Sequence, residues 1–424
     1  MPVPENVASD RELPLRPQPE LPLPVPGREG VPAYADQLAL RDAIERTLTF
    51  SPAVKAAFIE IDARRGEEVQ AAVRPNPELM LEVENFARNR QDGNTTESTL
   101  SFAQTVELGD KRLKRLQAAH LDASLSGWDY EVVRVTAATN AAQAFVDVLI
   151  AQDRIKVLTE FVTIAEKTRS GVDARVKGGK ASPIELDRAG VALSRAKAQL
   201  QGEKARLQAA RTKLSALWGA REAGFGRATG RLGTGHEVPS ADALLALIDN
   251  NPALARWNDE IGRRVAQLDL EHARAIPDLR VGAGVRRFEE DDSTAMVASV
   301  SMPIPVFDRN QGNIAAAHRR IEKAENDQRA TRNELYAQLV EAVGELNVAA
   351  TQLRAFEKDV LPGAQQAYER TRIGFDEGKF DILNVLDVQR SVFETRLEVL
   401  NARAEYEKAR VRVEALVGRD LNGL

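Results

Sequence analysis

The sequence predicts a mainly α-helical protein with a small β part, built twice on one plan: a very long antiparallel helical hairpin that carries a β-hairpin. Three observations predict it. Ala, Arg, Glu and Leu dominate long stretches while aromatics make up only 5% of the chain, as in extended helices rather than a thick core. Motifs recur in the same order at a spacing of roughly 200 residues, long enough for each copy to be a multi-element unit. The apolar period switches from 3.6 to 2 and back at matching points of both copies.

The recurrence is residue by residue. Ser51-Pro52-Ala53-Val54 returns as Asn251-Pro252-Ala253-Leu254, and Ile61 and Arg64 as Ile261 and Arg264. Arg74 through Pro77-Glu78-Leu79 returns as Arg274 through Pro277-Asp278-Leu279. Ala118-Ala119-His120 matches Ala316-Ala317-His318, and Gly179-Lys180 matches Gly378-Lys379. The chain divides accordingly into a Pro-rich arm (1–35), a first repeat (36–218), a Gly-rich connector (219–239), a second repeat (240–418) and a tail (419–424).

Each copy opens with a helix whose N-cap is Ser51 or Asn251, with Pro in the first helical position. Prolines stop it near Arg74 and Arg274. Alternation follows: Leu79, Leu81 and Val83, a polar turn from Asn89 to Thr96, then Leu100, Phe102 and Val106 on one face. The second copy has Leu279, Val281, Ala283 and Val285, the acidic turn Glu289 to Asp292, then Met296, Ala298, Val300, Met302 and Ile304. The hairpins span 78–107 and 278–305, with strands of roughly 9 to 11 residues, the length that crosses a bilayer when tilted. On alternation alone, a pair of soluble half-buried hairpins is the better reading.

The long hairpins occupy 111–218 and 310–418. Their outward helices, from Lys111 to Lys177 and from Asn310 to Glu377, extend on the order of 100 Å at ~1.5 Å per residue. Heptads run along them, with Ala144, Ala151, Leu158, Ala165 and Val172 in one register. Pro362-Gly363 predicts a break or kink in the second. Beyond Gly178-Gly179 and Gly378, return helices carry Leu186, Leu193, Leu200, Leu207 and Leu214, with Ala189, Ala196 and Ala210 beside them, and Val385, Val392, Val399, Tyr406 and Val413.

Several functions are disfavoured. With 58 Lys and Arg against 63 Asp and Glu finely interspersed, there is no basic footprint for nucleic acid. There is no cysteine, hence no thiolate ligand or catalytic thiol. His120, His236, His272 and His318 are scattered, no catalytic constellation stands out and no cofactor is indicated. The connector glycines Gly224, Gly226 and Gly230 lack phosphate-binding spacing. No stretch approaches the roughly 20 apolar residues of a membrane-spanning helix. The arm carries no basic region followed by an apolar one, so export requires that a signal was removed or that the start lies elsewhere.

If the strands are membranous, four cannot close a barrel, and open edges in hydrocarbon leave backbone groups without partners. Pooling strands between chains solves this, and predicts an oligomer.

Three segments carry a resemblance. Arg74-Pro75-Asn76-Pro77-Glu78 through Glu82-Val83-Glu84-Asn85-Phe86, then Gln104 through Gly109-Asp110-Lys111-Arg112, then Pro303-Ile304-Pro305-Val306-Phe307-Asp308-Arg309-Asn310-Gln311-Gly312-Asn313, resemble CzcC-type members of the TolC outer-membrane factor family. The match covers nearly everything after residue 36. It implies a TolC-like homotrimer with a twelve-stranded β-barrel in the Gram-negative outer membrane and an α-barrel through the periplasm. It further implies a periplasmic adaptor, an inner-membrane RND transporter, and metal cations of the cobalt, zinc, cadmium or nickel kind as cargo.

By the same resemblance the glycine-tipped turns form the periplasmic entrance, with Gly178, Gly179, Lys180, Gly378 and Lys379 as the adaptor contact. Family members place a carboxylate ring and a tyrosine–arginine network there. Glu185 and Asp387 match acidic positions, but Phe375 and Phe380 stand where the tyrosine and arginine would be. The expectation is an apolar constriction at Phe375 and Phe380 with Glu185, Asp381 and Asp387 as a cation-attracting ring; the alternative is solvated charge at a helix turn. A soluble coiled-coil scaffold or periplasmic adaptor is the competing reading of the whole chain, and a periplasmic metal-binding chaperone would need a ligand cluster not found in the sequence. The apolar face of Leu100, Phe102, Met296, Val300 and Met302 decides between duct and scaffold: lipid-facing in one, covered in the other.

Overall fold

The computed structural model describes residues 36–86, 96–233 and 240–418. The arm, most of the polar turn after Phe86, His236 and the tail lie outside the described residues.

A short strand β1 (Gln37–Ala39) leads into α1 (Leu40–Phe50) and α2 (Pro52–Ala71), broken at Ser51-Pro52 because the proline can begin a helix but not continue one. Strands β2 (Glu78–Glu84) and β3 (Glu97–Val106) form the first hairpin. Helix α3 (Lys111–Lys177) then runs 67 residues without interruption, and α4 (Pro183–Ala216) returns beside it.

Within the segment expected to be only a connector, β4 (Arg227–Thr229) pairs in parallel with β1. Gln152 clamps β4, donating to the Ala228 carbonyl and accepting from its amide, both at 3.0 Å. Around this pair Leu38, Phe145, Val148, Leu214, Trp218 and Phe225 form a compact core. The Gly233 amide donates to Glu407 at 2.6 Å, tying the connector to the second repeat.

The second repeat has α5 (Ala241–Leu245), α6 (Pro252–Ala255), α7 (Trp257–Arg274), β5 (Leu279–Phe288) and β6 (Thr294–Ser301). Asn251 uses its side chain as an N-cap, accepting from Ala253 at 2.9 Å, whereas Ser51 in the equivalent place does not. Strand β6 ends at Ser301, short of the expected 305. Pro303 has no amide for the ladder, so Met302 and Ile304 lie beyond it.

Helix α8 (Gln311–Ala355) ends short of Pro362, the expected place of a break or kink. The disruption falls one turn earlier, as a π-helical turn over Phe356–Val360, after which α9 (Leu361–Asp376) continues. Pro362 cannot donate to the Lys358 carbonyl and its ring crowds that group, so the helix widens on the N-terminal side of the proline. Helix α10 (Ile382–Val417) returns.

The long helices pack side by side, α3 against α2, α4, α7 and α10, and α10 against α8 and α9. In α3 the register Ala144, Ala151, Leu158, Ala165 and Val172 is buried, and in α10 so are Val385, Val392, Val399, Tyr406 and Val413. In α4 the deepest column is Ala189, Ala196 and Glu203, not the leucine heptad, of which only Leu214 is fully buried. Small side chains let two helix backbones approach along the seam, and the leucines flank it.

Candidate functional site

The sheet end is set by register. The order is β2-β3-β5-β6, antiparallel throughout, so both hairpins join in one four-stranded sheet through the β3–β5 pair. Gly284 permits that pairing: a Cβ there would stand 2.5 Å from the Leu100 carbonyl oxygen. Directly paired residues share a face, so Leu79, Leu81, Leu100, Phe102, Val281, Val285, Met296 and Val300 lie together on one side. They are uncovered: Leu79 is 73% exposed, Phe102 53%, Met296 92% and Val300 69%. Such a continuous apolar surface needs an apolar neighbour.

The opposite face is more polar, with Thr99 5% exposed in its middle. It carries Glu78, Glu82, Glu84 and Glu97 against Arg280 and Arg286. Arg280 pairs with Glu78 at 2.6 Å, and Arg286 with Glu97 at 2.8 Å and Glu84 at 3.4 Å. Among the described residues β2 and β6 each keep one edge unpaired. No described helix is long and apolar enough to cross a membrane, whereas β3 and β5, at ten residues each, have the length of tilted spanning strands.

Polar locks anchor the sheet to the helices. Asp278 accepts from the Leu108 amide at 3.0 Å and from Lys111 at 2.6 Å. Arg115 holds Glu107 at 2.6 Å and the Ala71 carbonyl at 2.8 Å. Asn310, left-handed at φ +58°, donates from Nδ2 to the backbone and side chain of Glu271, each at 2.7 Å. Burial would raise the Glu271 carboxyl, but the hydrogen bonds from Asn310 and Gln267 and the nearby Arg274 outweigh it and hold it below the ordinary value.

At the far end the two turns are near copies. Gly179 and Gly378 take φ +69° and +78°, ending α3 and α9 with left-handed caps. The Lys180 amide returns to the Arg175 carbonyl at 2.8 Å and that of Lys379 to Gly374 at 2.7 Å. Gly178, Gly179, Lys180, Gly378 and Lys379 are all exposed.

The acidic candidates have local partners. Glu185 closes a capping box, accepting from the Ser182 amide at 3.1 Å. Asp381 caps α10, accepting from Asn384 at 3.0 Å, and Asp387 pairs with Arg390 at 2.7 Å. Phe375 packs inward with Val172, Ala189, Ile382 and Val385, joining both hairpin ends. Phe380 folds over Gly374, which has no side chain to obstruct it, and stays 47% exposed. The two phenylalanines therefore do different things. Arg175, missed in the sequence, stacks its guanidinium 4.4 Å from the Phe375 ring centre. Its partner lies 200 positions away, so no local pattern signals it.

Open sheet edges, an uncovered apolar face and two long helical hairpins define a subunit of a shared membrane channel. Comparison with known proteins agrees. The family model "Outer membrane efflux protein" matches residues 43–220 and 244–419, once per repeat, and the chain belongs to that family. It is 34% identical over 397 residues, 93% of this chain and 94% of the relative, to the cobalt-zinc-cadmium resistance protein CzcC of Cupriavidus metallidurans. It is 33% identical to the nickel and cobalt resistance protein CnrC of the same organism, over 66% of this chain and 67% of that one. Among solved structures it superimposes on CusC with TM-score 0.75 at 15% identity, covering 90% and 92% of the two chains. The Vibrio cholerae outer membrane protein VceC gives 0.72 at 17% identity over 90% and 96%. The fold is thus TolC-like and its place is the outer membrane. The soluble-hairpin and scaffold readings are overturned by the family match and the uncovered apolar face.

Proposed function

We propose that this chain is the exit duct of a tripartite pump for divalent heavy-metal cations of the cobalt, zinc, cadmium and nickel class. It works as a homotrimer with a periplasmic adaptor and an inner-membrane RND transporter. The observation that carries this reading is the identity with the cobalt-zinc-cadmium resistance protein across nearly the whole chain. Three copies of a four-stranded sheet supply twelve strands, enough for a barrel with an open lumen, and each unpaired edge then meets a neighbour. Four carboxylates against two arginines on the polar face favour cations in that lumen.

The two repeats, 36–218 and 240–418, are the structural units of this duct. In the assembled entrance, Phe380 forms the apolar constriction, backed by Phe375 in the core that joins the hairpin ends, and Glu185, Asp381 and Asp387 form the acidic ring; Gly178, Gly179, Lys180, Gly378 and Lys379 meet the adaptor. The capping contacts of Glu185 and Asp381 fix where their charges sit without neutralising them.

Deleting the gene from its host and scoring growth on graded cobalt, zinc, cadmium and nickel tests the cargo; hypersensitivity rescued by the intact gene is expected, and unchanged tolerance to all four overturns it. Unboiled, cross-linked outer-membrane extracts should contain a trimer. For the entrance, Phe380→Ala and Glu185→Gln should alter single-channel conductance in planar bilayers, and unchanged conductance in both would refute the gating role.

A further inference from the structure

Where the two repeats place a histidine at the same position, they surround it differently. His120 of α3 sits against α2 and shares a hydrogen bond from Nδ1 with Glu68 at 2.9 Å, an ordinary His–carboxylate tie between helices. Its counterpart His318 of α8 sits against α7 and faces a second histidine, His272, with ring centres 6.1 Å apart and planes at 81°. Both rings are exposed, and among the described residues neither has a hydrogen-bond or ion-pair partner. The neighbouring charges are already matched: Glu271 holds Arg274 at 2.7 Å and Glu322 holds Arg319 at 2.7 Å.

From this geometry we infer that His272 and His318 form a two-histidine site for a borderline divalent cation such as zinc, nickel or cobalt. Imidazole nitrogens ligate zinc at about 2.0–2.1 Å, which sets two ligating rings with centres roughly 5–6 Å apart. The observed 6.1 Å lies at the upper edge of that range. Imidazole selects these ions over magnesium and calcium, which take oxygen ligands. No described group of three or more His, Asp or Glu completes a closed cage, so water fills the remaining positions and the ion exchanges readily. The pair lies in the last turn of α7 and the second turn of α8, just below the sheet. The inference stands on these rings alone and does not depend on the cargo proposed above.

The test is calorimetric titration of the detergent-solubilised trimer, purified through a tag free of histidine, with zinc, nickel and magnesium. One zinc or nickel per chain is expected for the native protein and for His120→Ala, with no response to magnesium. Affinity should fall about tenfold or more in both His272→Ala and His318→Ala. Equal affinity in these variants, or no zinc binding by the native trimer, overturns the site. Should a variant fail to assemble, the native trimer decides: zinc must protect His272 and His318, but not His120, from ethoxyformylation mapped by mass spectrometry. Equal labelling of both rings with and without zinc overturns the proposal.

Discussion

The outward helix of the first repeat is continuous and that of the second is jointed. Helix α3 runs 67 residues unbroken, whereas its counterpart is divided at a π turn into α8 and α9. The seams differ too. Ala141 and Leu339 are equivalent places, both 0% exposed, so the same depth is filled by a methyl in one copy and an isobutyl group in the other. One plan thus accommodates side chains of two sizes at one depth, provided each position is filled to the density of its own surroundings.

The largest effect should come from equalising those places. Leu339→Ala is expected to cost ~2–5 kcal/mol through the cavity it leaves, and Ala141→Leu about 1–3 kcal/mol through overpacking. Denaturant titration of the purified protein measures both; a negligible change in either would mean that the packing at that place is not set by side-chain size. Next comes the joint. Pro362→Ala should restore the regular ladder and stabilise the second hairpin by up to ~3 kcal/mol, seen as slower amide exchange around Lys358.

The junctions beneath the sheet sharpen the contrast further. The second repeat anchors Asn310 on Glu271, where the first has Ala71, whose carbonyl accepts from Arg115. Because the Glu271 carboxyl is held below its ordinary value of 4.5, its stabilisation is complete above that pH and fades as pH falls through the lower folded value. Glu271→Gln should cost ~2 kcal/mol near neutrality and converge with the native protein in acid; parallel melting curves from pH 7 to 3 would contradict this. The smallest effect lies at the tip, where Arg175→Gln removes the stacking on Phe375, about 0.5–1 kcal/mol. Its readout is the frequency of channel opening, expected to rise.

Much of this was legible in the primary structure. The offset of about 200 residues, the switch to period 2 at Leu79 and Leu279, and the glycine turns each follow from local chemistry: alternation, caps and backbone freedom. The β1–β4 pair escaped notice because three-residue strands such as Arg227–Thr229 have no period to detect, and their pairing is held by the distant Gln152. The leucine heptad of α4 overstated its own importance, since Ala189 and Ala196 take the seam. The acidic tip residues were visible as charges, but not as the caps that Glu185 and Asp381 form.

Sequence by itself determined the repeat, the element order, the strand faces and the family, because periodicity, capping and turn chemistry act within a few residues of one another. Only the tertiary structure decided which hairpins share a sheet, where the long helix yields to Pro362, which column of α4 is the seam, and that Arg175 meets Phe375 and His318 meets His272. Those outcomes join residues far apart in the chain, or weigh one packing surface against another, and no local pattern encodes such a choice.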